Sequence, residues 1–296
     1  MKRSGILRRI IACIAALMLI CLVFCAAESE TEGIGELTEG AQVRVMSYNI
    51  MHPDWSKVPV NGRDETVAAV LRHYMPDVVA LQEAGAKWHK ALKPLLADTG
   101  EYAFACRQSN AEGFTYNTTC FLYNPKTVSL VEEYILDLDF RDATRVFAVA
   151  VFEKLSDGRR FIVTNTHPAP REEARKYAKN MADLTRFAAD TVKKYAGLPV
   201  IMAGDFNTPD GSEMLMDLME QAGVRDAKFA AEVRLRDCAT YFDSPEAFCS
   251  DNTDYCIDHI FVNAGTDVKL FDIVTDQDVQ FASDHTPIYT DISFND

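Results

Sequence analysis

The chain has 296 residues, with 30 basic and 44 acidic side chains and a formal net charge of −14. Its length suits one large domain or two small ones. The acidic balance argues against tight, non-specific binding to DNA or RNA, because such binding relies on lysine and arginine to neutralise phosphates.

The first 27 residues read as an address. Lys2, Arg3, Arg8 and Arg9 precede Ile10 to Ala27, 18 residues without a charge, and Glu28 opens an acidic stretch. A basic start, an apolar core and small residues at its end describe a signal peptide cleaved after Ala27, so the chain is expected to be exported to the cell surface or beyond. An uncleaved anchor is the alternative, because 18 apolar residues can just span a bilayer. Lipid attachment at Cys25 is disfavoured by the bulky Phe24 before it. Without residues 1–27, 26 basic side chains face 44 acidic ones, a charge of −18. Residues 28–40 are rich in Glu, Gly and Thr and read as a flexible acidic spacer. Residues 41–296 then form one body with no internal repeat.

Within that body, Val43–Ile50 alternates as a strand, and Asp64–Tyr74 carries Val67, Val70, Leu71 and Tyr74 at helical spacing. Val78–Leu81 is wholly apolar, as expected of a strand buried on both faces. Ala86–Leu96 predicts a helix. Segments near 102–106, 118–123, 127–136, 146–154 and 160–166 predict strands joined by tight turns such as Asn124-Pro125 and Asp157-Gly158. Arg171–Tyr195 predicts the longest helix, closed by Gly197 and Pro199. Leu198–Ala203 predicts a buried strand, and Ser212–Gln221 a helix with Gly223 as its C-cap. The stretch from 225 to 256 is irregular. Ile257–Val262, Val268–Thr275 and Pro287–Phe294 predict strands. Strands joined by hairpins with a few helices imply an α+β fold, two mostly antiparallel sheets packed together with helices outside.

Eight cysteines are present, and five lie outside the address: Cys106, Cys120, Cys238, Cys249 and Cys256. An odd number leaves at least one free. One pairing joins Cys106 to Cys120 across a hairpin and Cys238 to Cys249, with Cys256 a buried thiol. Five unpaired, buried cysteines fit equally well.

The chemistry sits at strand ends. Ser47-Tyr48-Asn49-Ile50, Leu81-Gln82-Glu83, Thr164-Asn165-Thr166-His167, Gly204-Asp205-Phe206-Asn207, Ile257-Asp258-His259-Ile260 and Ser283-Asp284-His285 each place polar groups in, at or just beyond an apolar run. Strand ends converge at one edge of a layered sheet, where sites are commonly built. Taken singly, these residues are ordinary turn and cap residues; Asp258 is the exception, since an unpartnered carboxylate inside an apolar strand is expensive. Carboxylates and amides with few nitrogens suit Mg²⁺, Mn²⁺ or Ca²⁺. Zinc is disfavoured because no cysteines or histidines stand at zinc spacing. No His-Glu-x-x-His helix is present for a zinc peptidase.

The order Ser-Tyr-Asn-Ile, Leu-Gln-Glu, Thr-His, Gly-Asp-Phe-Asn, Ile-Asp-His-Ile, Ser-Asp-His resembles the endonuclease/exonuclease/phosphatase superfamily, whose members include DNase I-like nucleases, inositol polyphosphate phosphatases and neutral sphingomyelinases. The resemblance runs from about 43 to 293 and implies a four-layer α/β/β/α sandwich, a divalent cofactor (Mg²⁺ or Mn²⁺) and phosphoester hydrolysis. It implies that Asn49 and Glu83 hold the metal, with Asp284 close by. Asp205 would orient or deprotonate the attacking water, and Asn207 would help position it. His285 would contact the phosphate while Asp258 bonds its other ring nitrogen. His167 and Arg145 would also contact phosphate oxygens. Tyr116 is a weak candidate for the family's mid-chain tyrosine, and His259 stands where a tyrosine is often found.

The expected function is thus a secreted metal-dependent phosphoesterase. Its partners would be a phosphate-ester substrate and, transiently, a membrane surface, and the protein would act as a monomer. The competing reading is a catalytically inactive phosphate- or lipid-headgroup-binding protein of the same fold, since fold alone does not secure function.

Overall fold

The computed structural model describes residues 35–107, 118–139 and 145–295. The address segment and Tyr116 lie outside the described residues. The compact body begins at Leu37. Thr38 donates its backbone N–H and its hydroxyl to Asp291 Oδ2 at 2.8 and 2.9 Å, which pins the first residues of that body.

Two mixed sheets form the centre. One orders its strands β10 (Val233–Arg234), β12 (Thr266–Ile273), β13 (Ile288–Phe294), β1 (Val43–Asn49), β2 (Val78–Gln82), β4 (Cys120–Tyr123) and β3 (Ala103–Ala105). The other runs β5 (Val128–Asp137), β6 (Val146–Lys154), β7 (Arg160–Thr166), β8 (Val200–Asp205), β11 (Asp258–Asn263) and β9 (Val224–Asp226). Most neighbours are antiparallel; β1 with β2, β7 with β8 and β10 with β12 are parallel.

Three apolar clusters show why the layers stack. Val45, Val78, Phe121, Phe152, Val163, Ile201 and Ile292 fill the space between the sheets. Tyr48, Leu71, Leu81, Trp88 and Leu122 pack the outer face of the first sheet against the helix Arg63–Tyr74 and its neighbours. Phe147, Met181, Leu184, Met202 and Leu218 pack the second sheet beneath the helices Ala174–Lys194 and Glu213–Ala222. Both faces of each sheet are therefore buried, as the continuous apolar runs of β2 and β8 require. Each fully buried large side chain contributes roughly 1.5–3 kcal/mol relative to exposure.

Local signals hold with small shifts. Ser212 accepts the N–H of Leu215, and Gly223 ends the same helix at φ +65°. The helix expected from Arg171 begins at Ala174, because the chain first turns back with Glu173 N–H on Pro170 O at 3.0 Å. The helix expected through Leu96 stops at Leu92 and continues as one wider turn over Lys93–Ala97. The irregular stretch contains β9, β10 and the helical turn Ala227–Ala230.

One cysteine pair differs from expectation. Cys238 and Cys249 form a disulfide and Cys256 is free, but Cys106 and Cys120 are free and buried. They follow on from the β3–β4 register at Ala105↔Phe121, yet their side chains enter opposite faces of the sheet. Cys106 has φ +55°; its Sγ lies 3.3 Å from Val149 O, whereas Cys120 Sγ lies 3.7 Å from His89 Nε2.

Candidate active site

Strand register brings the polar clusters together. Asp258 opens β11 directly opposite Asp205, the last residue of β8, so two carboxylates face across one antiparallel pair. Asn49 ends β1 beside Gln82, which places Glu83 one residue beyond. Thr166 ends β7 beside Gly204, with His167 next. The glycine is required by contact: a Cβ at Gly204 would stand 2.4 Å from Thr166 O. Glu83 and Asn207 adopt φ of +60° and +52°. The left-handed region is unusual for a glutamate and marks a site where the surrounding structure holds strain.

Asp205 is the focus. Its Oδ2 accepts the Asn49 amide at 3.0 Å and lies 3.4 Å from His167 Nε2 and 3.7 Å from His285 Nε2. Its Oδ1 accepts the Asn207 N–H at 2.8 Å. His285 Nδ1 lies 2.8 Å from Asp258 Oδ2. The Asn49 amide also donates to Glu83 Oε1 at 3.3 Å, and Glu83 Oε2 accepts the His52 N–H. Ser283 donates its hydroxyl to Asn49 O at 2.6 Å, joining the Asp284 turn to the end of β1. Arg145 donates to Pro168 O at 3.1 Å and to His167 O at 3.3 Å. Asn207 Nδ2 donates to Pro168 O at 3.1 Å.

These groups border one cleft of about 420 Å³ that includes Glu83, Arg145, His167, Asp205, Asn207, Asp284 and His285. Asn49 and Asp258 stand behind it through their bonds to Asp205 and His285. Every site residue expected from sequence, Tyr116 aside, is therefore in or against one cleft.

Burial sets the charge states. It raises the Asp205 carboxyl to about 7, with Asp258 adding to the rise against the opposing pull of His285. Burial alone would depress His285, but Asp258 and Asp205 outweigh it and lift the imidazolium to about 10. Burial, Arg145 and His285 push His167 well below the usual histidine range, so it is neutral near pH 7. Burial also raises Glu83, and the Asp284 carboxylate adds to that rise.

Sequence reasoning missed three contributors. Thr240 Oγ1 accepts the N–H of Ile257 at 3.1 Å and of Asp258 at 3.2 Å, fixing the start of β11. Tyr241 packs 5.1 Å from the His285 ring. Trp55 stacks on His52 at 4.4 Å, with the Arg145 guanidinium 5.6 Å from its ring centre. No periodicity or motif signalled them, because Thr240 and Tyr241 lie in an irregular stretch and Trp55 in a four-residue helix, Pro53–Ser56, too short to show a period.

The sequence matches the Endonuclease/Exonuclease/phosphatase family over residues 46–285. The chain belongs to this family. Its members are divalent-metal-dependent phosphoester hydrolases, and the chain is an enzyme of that class. Among solved structures it resembles an endonuclease/exonuclease/phosphatase family protein from Bacteroides thetaiotaomicron (18% identity, TM-score 0.70, covering 86% of this chain and 98% of that one). A mannosyl-6-phosphatase from the same species superposes equally well (19% identity, TM-score 0.70, 85% and 100% coverage). The human Nocturnin catalytic domain with bound sulfate matches at 19% identity and TM-score 0.67, covering 88% and 96%. A comparison with curated protein sequences finds no match.

The residues fit a divalent cation. Glu83 and Asp284 face one cleft, and neither forms an ion pair with lysine or arginine among the described residues. Their oxygens, with the Asn49 amide, make a hard donor set. Two other acidic groups have ligand-capable atoms within 4.8 Å of one another: Asp205, Asp258 and His285, and Asp210, Asp226 and His259. Both already contain their cation. The raised His285 imidazolium compensates the first. In the second, Lys228 Nζ stands 2.7 Å from Asp210, and both His259 nitrogens are engaged, at 3.1 Å from Asp226 and 2.8 Å from Thr208 O.

Proposed function

We propose that the protein is an exported phosphoesterase that hydrolyses a phosphate monoester or diester by in-line attack of water. The observation that carries this reading is the convergence of Asn49, His167 and His285 on Asp205 Oδ2 within 3.7 Å. A carboxylate held there among nitrogen donors can orient a water molecule and accept its proton. A carboxyl raised to about 7 is matched to proton transfer near neutral pH. Asn207 positions the same water. His285, kept cationic by Asp258, offers a charge-assisted hydrogen bond to a phosphoryl oxygen. Neutral His167 donates a second, and Arg145 contacts the phosphate from the cleft wall.

Asn49, Glu83 and Asp284 would hold Mg²⁺ or Mn²⁺, which when bound stabilises charge developing on the phosphoryl oxygens. The Cys238–Cys249 bond supports export, since disulfides persist in oxidising compartments. Among the described residues no helix is long and apolar enough to cross a membrane. The net charge supports a small or lipid-headgroup ester over a nucleic-acid polymer, and the similar mannosyl-6-phosphatase fold adds sugar phosphates to the candidates.

The experiment is hydrolysis of bis-p-nitrophenyl phosphate, followed by a panel of DNA, RNA, sphingomyelin, phosphoinositides, nucleotides and sugar phosphates, each with Mg²⁺, Mn²⁺ and Ca²⁺. EDTA is expected to abolish turnover and added metal to restore it. Turnover unaffected by EDTA, or absent from the whole panel, overturns the reading.

A further inference from the structure

Arg63 begins the helix Arg63–Tyr74, yet it is 5% exposed and has no carboxylate within ion-pair distance among the described residues. Its donors are spent on backbone carbonyls instead. Nε donates to Ala282 O at 2.6 Å, and Nη2 to Ile50 O at 2.6 Å and Met51 O at 2.7 Å. Nη1 reaches Val58 O at 3.1 Å and Pro59 O at 3.4 Å. The guanidinium also lies over the Trp88 ring, 4.9 Å from its centre.

These carbonyls are informative. Ile50 and Met51 directly follow Asn49, and Ala282 stands two residues before Asp284. One planar fork therefore clasps the two chain segments that carry Asn49 and Asp284. Ser283, hydrogen-bonded to Asn49 O, makes a second clasp between the same segments. Asp284, on one of these segments, lines the cleft together with Glu83.

We propose that Arg63 is a positioning residue for the divalent-cation site, fixing the separation of Asn49 and Asp284 through their backbones. The proposal rests on the reading that Asn49, Glu83 and Asp284 are the ligands. Charge alone would make an arginine unfavourable here, since a cation beside a cation site repels the incoming ion. The same charge attracts the Asp284 and Glu83 carboxylates, so the contribution of geometry is isolated by keeping the charge and changing the shape. Lysine keeps the charge but has three donors on one nitrogen, so it cannot reproduce the five bonds that Arg63 makes across both segments.

The test is Mn²⁺ titration of the full chain, read by the loss of free-Mn²⁺ electron paramagnetic resonance signal, for wild type, Arg63→Met, Arg63→Lys and Glu83→Gln. Circular dichroism confirms folding. Both Arg63 variants are expected to bind Mn²⁺ at least about tenfold more weakly, the range seen when groups supporting metal ligands are removed. A folded Arg63 variant with wild-type affinity or better overturns the proposal. If Arg63→Met does not fold, Arg63→Lys decides alone by the same criterion. Glu83→Gln separates the two levels: wild-type affinity in that variant removes the ligand assignment itself, whereas weak binding there with normal binding in Arg63→Lys removes only the role of Arg63.

Discussion

His285 Nδ1 and Asp258 Oδ2 are 2.8 Å apart and both side chains are buried, so the imidazole is held in one orientation with its Nε2 toward Asp205. Asp258→Asn keeps the shape and removes the charge. The imidazolium, now raised to about 10 against the effect of burial, loses its largest support. If protonated His285 is the active form, activity persists below the folded pKa and falls as pH rises through it. The alkaline limb of the pH–rate profile is therefore expected to move to lower pH in Asp258→Asn, with turnover down by about 100-fold, the scale of a lost acid–base or charge-stabilising group. An unmoved alkaline limb contradicts the pairing.

Asp205 separates stability from activity. Its folded pKa of about 7 lies above the ordinary carboxyl value, so the folded chain gives up this proton less readily than the unfolded one. Its contribution to stability is full below the unfolded pKa and is lost as pH rises toward 7. In EDTA at pH 8, above the folded pKa, the buried carboxylate is ionised, and Asp205→Asn is expected to raise Tm by about 3–6 °C, equivalent to roughly 1–2 kcal/mol. The same change, like Asp205→Ala, Glu83→Ala and His285→Ala, should lower phosphoesterase turnover by at least about 100-fold. Activity retained in all three alanine variants removes the site assignment, and a lowered Tm in Asp205→Asn removes the strain argument.

The sequence carried the site further than it carried the loops, for physical reasons. Asn49, Asp205 and Asp258 lie at strand ends whose apolar runs force a buried register, so their neighbours in space follow from their neighbours in sequence. Arg63 could not be read this way. An arginine opening a helix looks like a solvated charge, and its partner Ala282 O is 219 residues away. Thr240 and Tyr241 sit in a stretch without periodicity, held instead by the Cys238–Cys249 bond and by hydrogen bonds to Tyr255 and Thr286. Cys106 and Cys120 fail for a local reason. Residue spacing brings them opposite one another, but the left-handed turn at Cys106 rotates its side chain to the other face.

That disulfide braces a wall of the cleft. Ala239 N–H reaches Ser250 O at 2.8 Å, and Thr240 and Tyr241 N–H both reach Tyr255 O at 3.0 Å, so the bonded loop presents Tyr241 and Tyr255 to the site. Closing a loop with a sequence separation of 11 is worth about 3 kcal/mol through the unfolded chain. Denatured protein lacking residues 1–27 is expected to show three thiols, Cys106, Cys120 and Cys256, and five after reduction. Cys238→Ala with Cys249→Ala should lower stability by about that amount and raise KM more than it lowers kcat. Five thiols without reductant rule out the bond.

Gly204 offers the sharpest steric test. Its neighbour across the parallel β7–β8 pair is Thr166, and a Cβ would stand 2.4 Å from the Thr166 carbonyl oxygen and 3.0 Å from its methyl group. The carbonyl belongs to a strand buried between β6 and β8, so neither backbone can withdraw without breaking the register that places Asp205 opposite Asp258. Gly204→Ala is expected to destabilise the protein by about 1–3 kcal/mol, the scale of overpacking in a filled core. The next residue is Asp205, so the shift should also lower turnover well beyond the loss of folded protein. Gly265→Ala is the matched control, because its nearest atoms lie 3.5 Å or more from the added methyl. Equal urea midpoints for the two variants would show that the close approach at Gly204 does not constrain the strand pair.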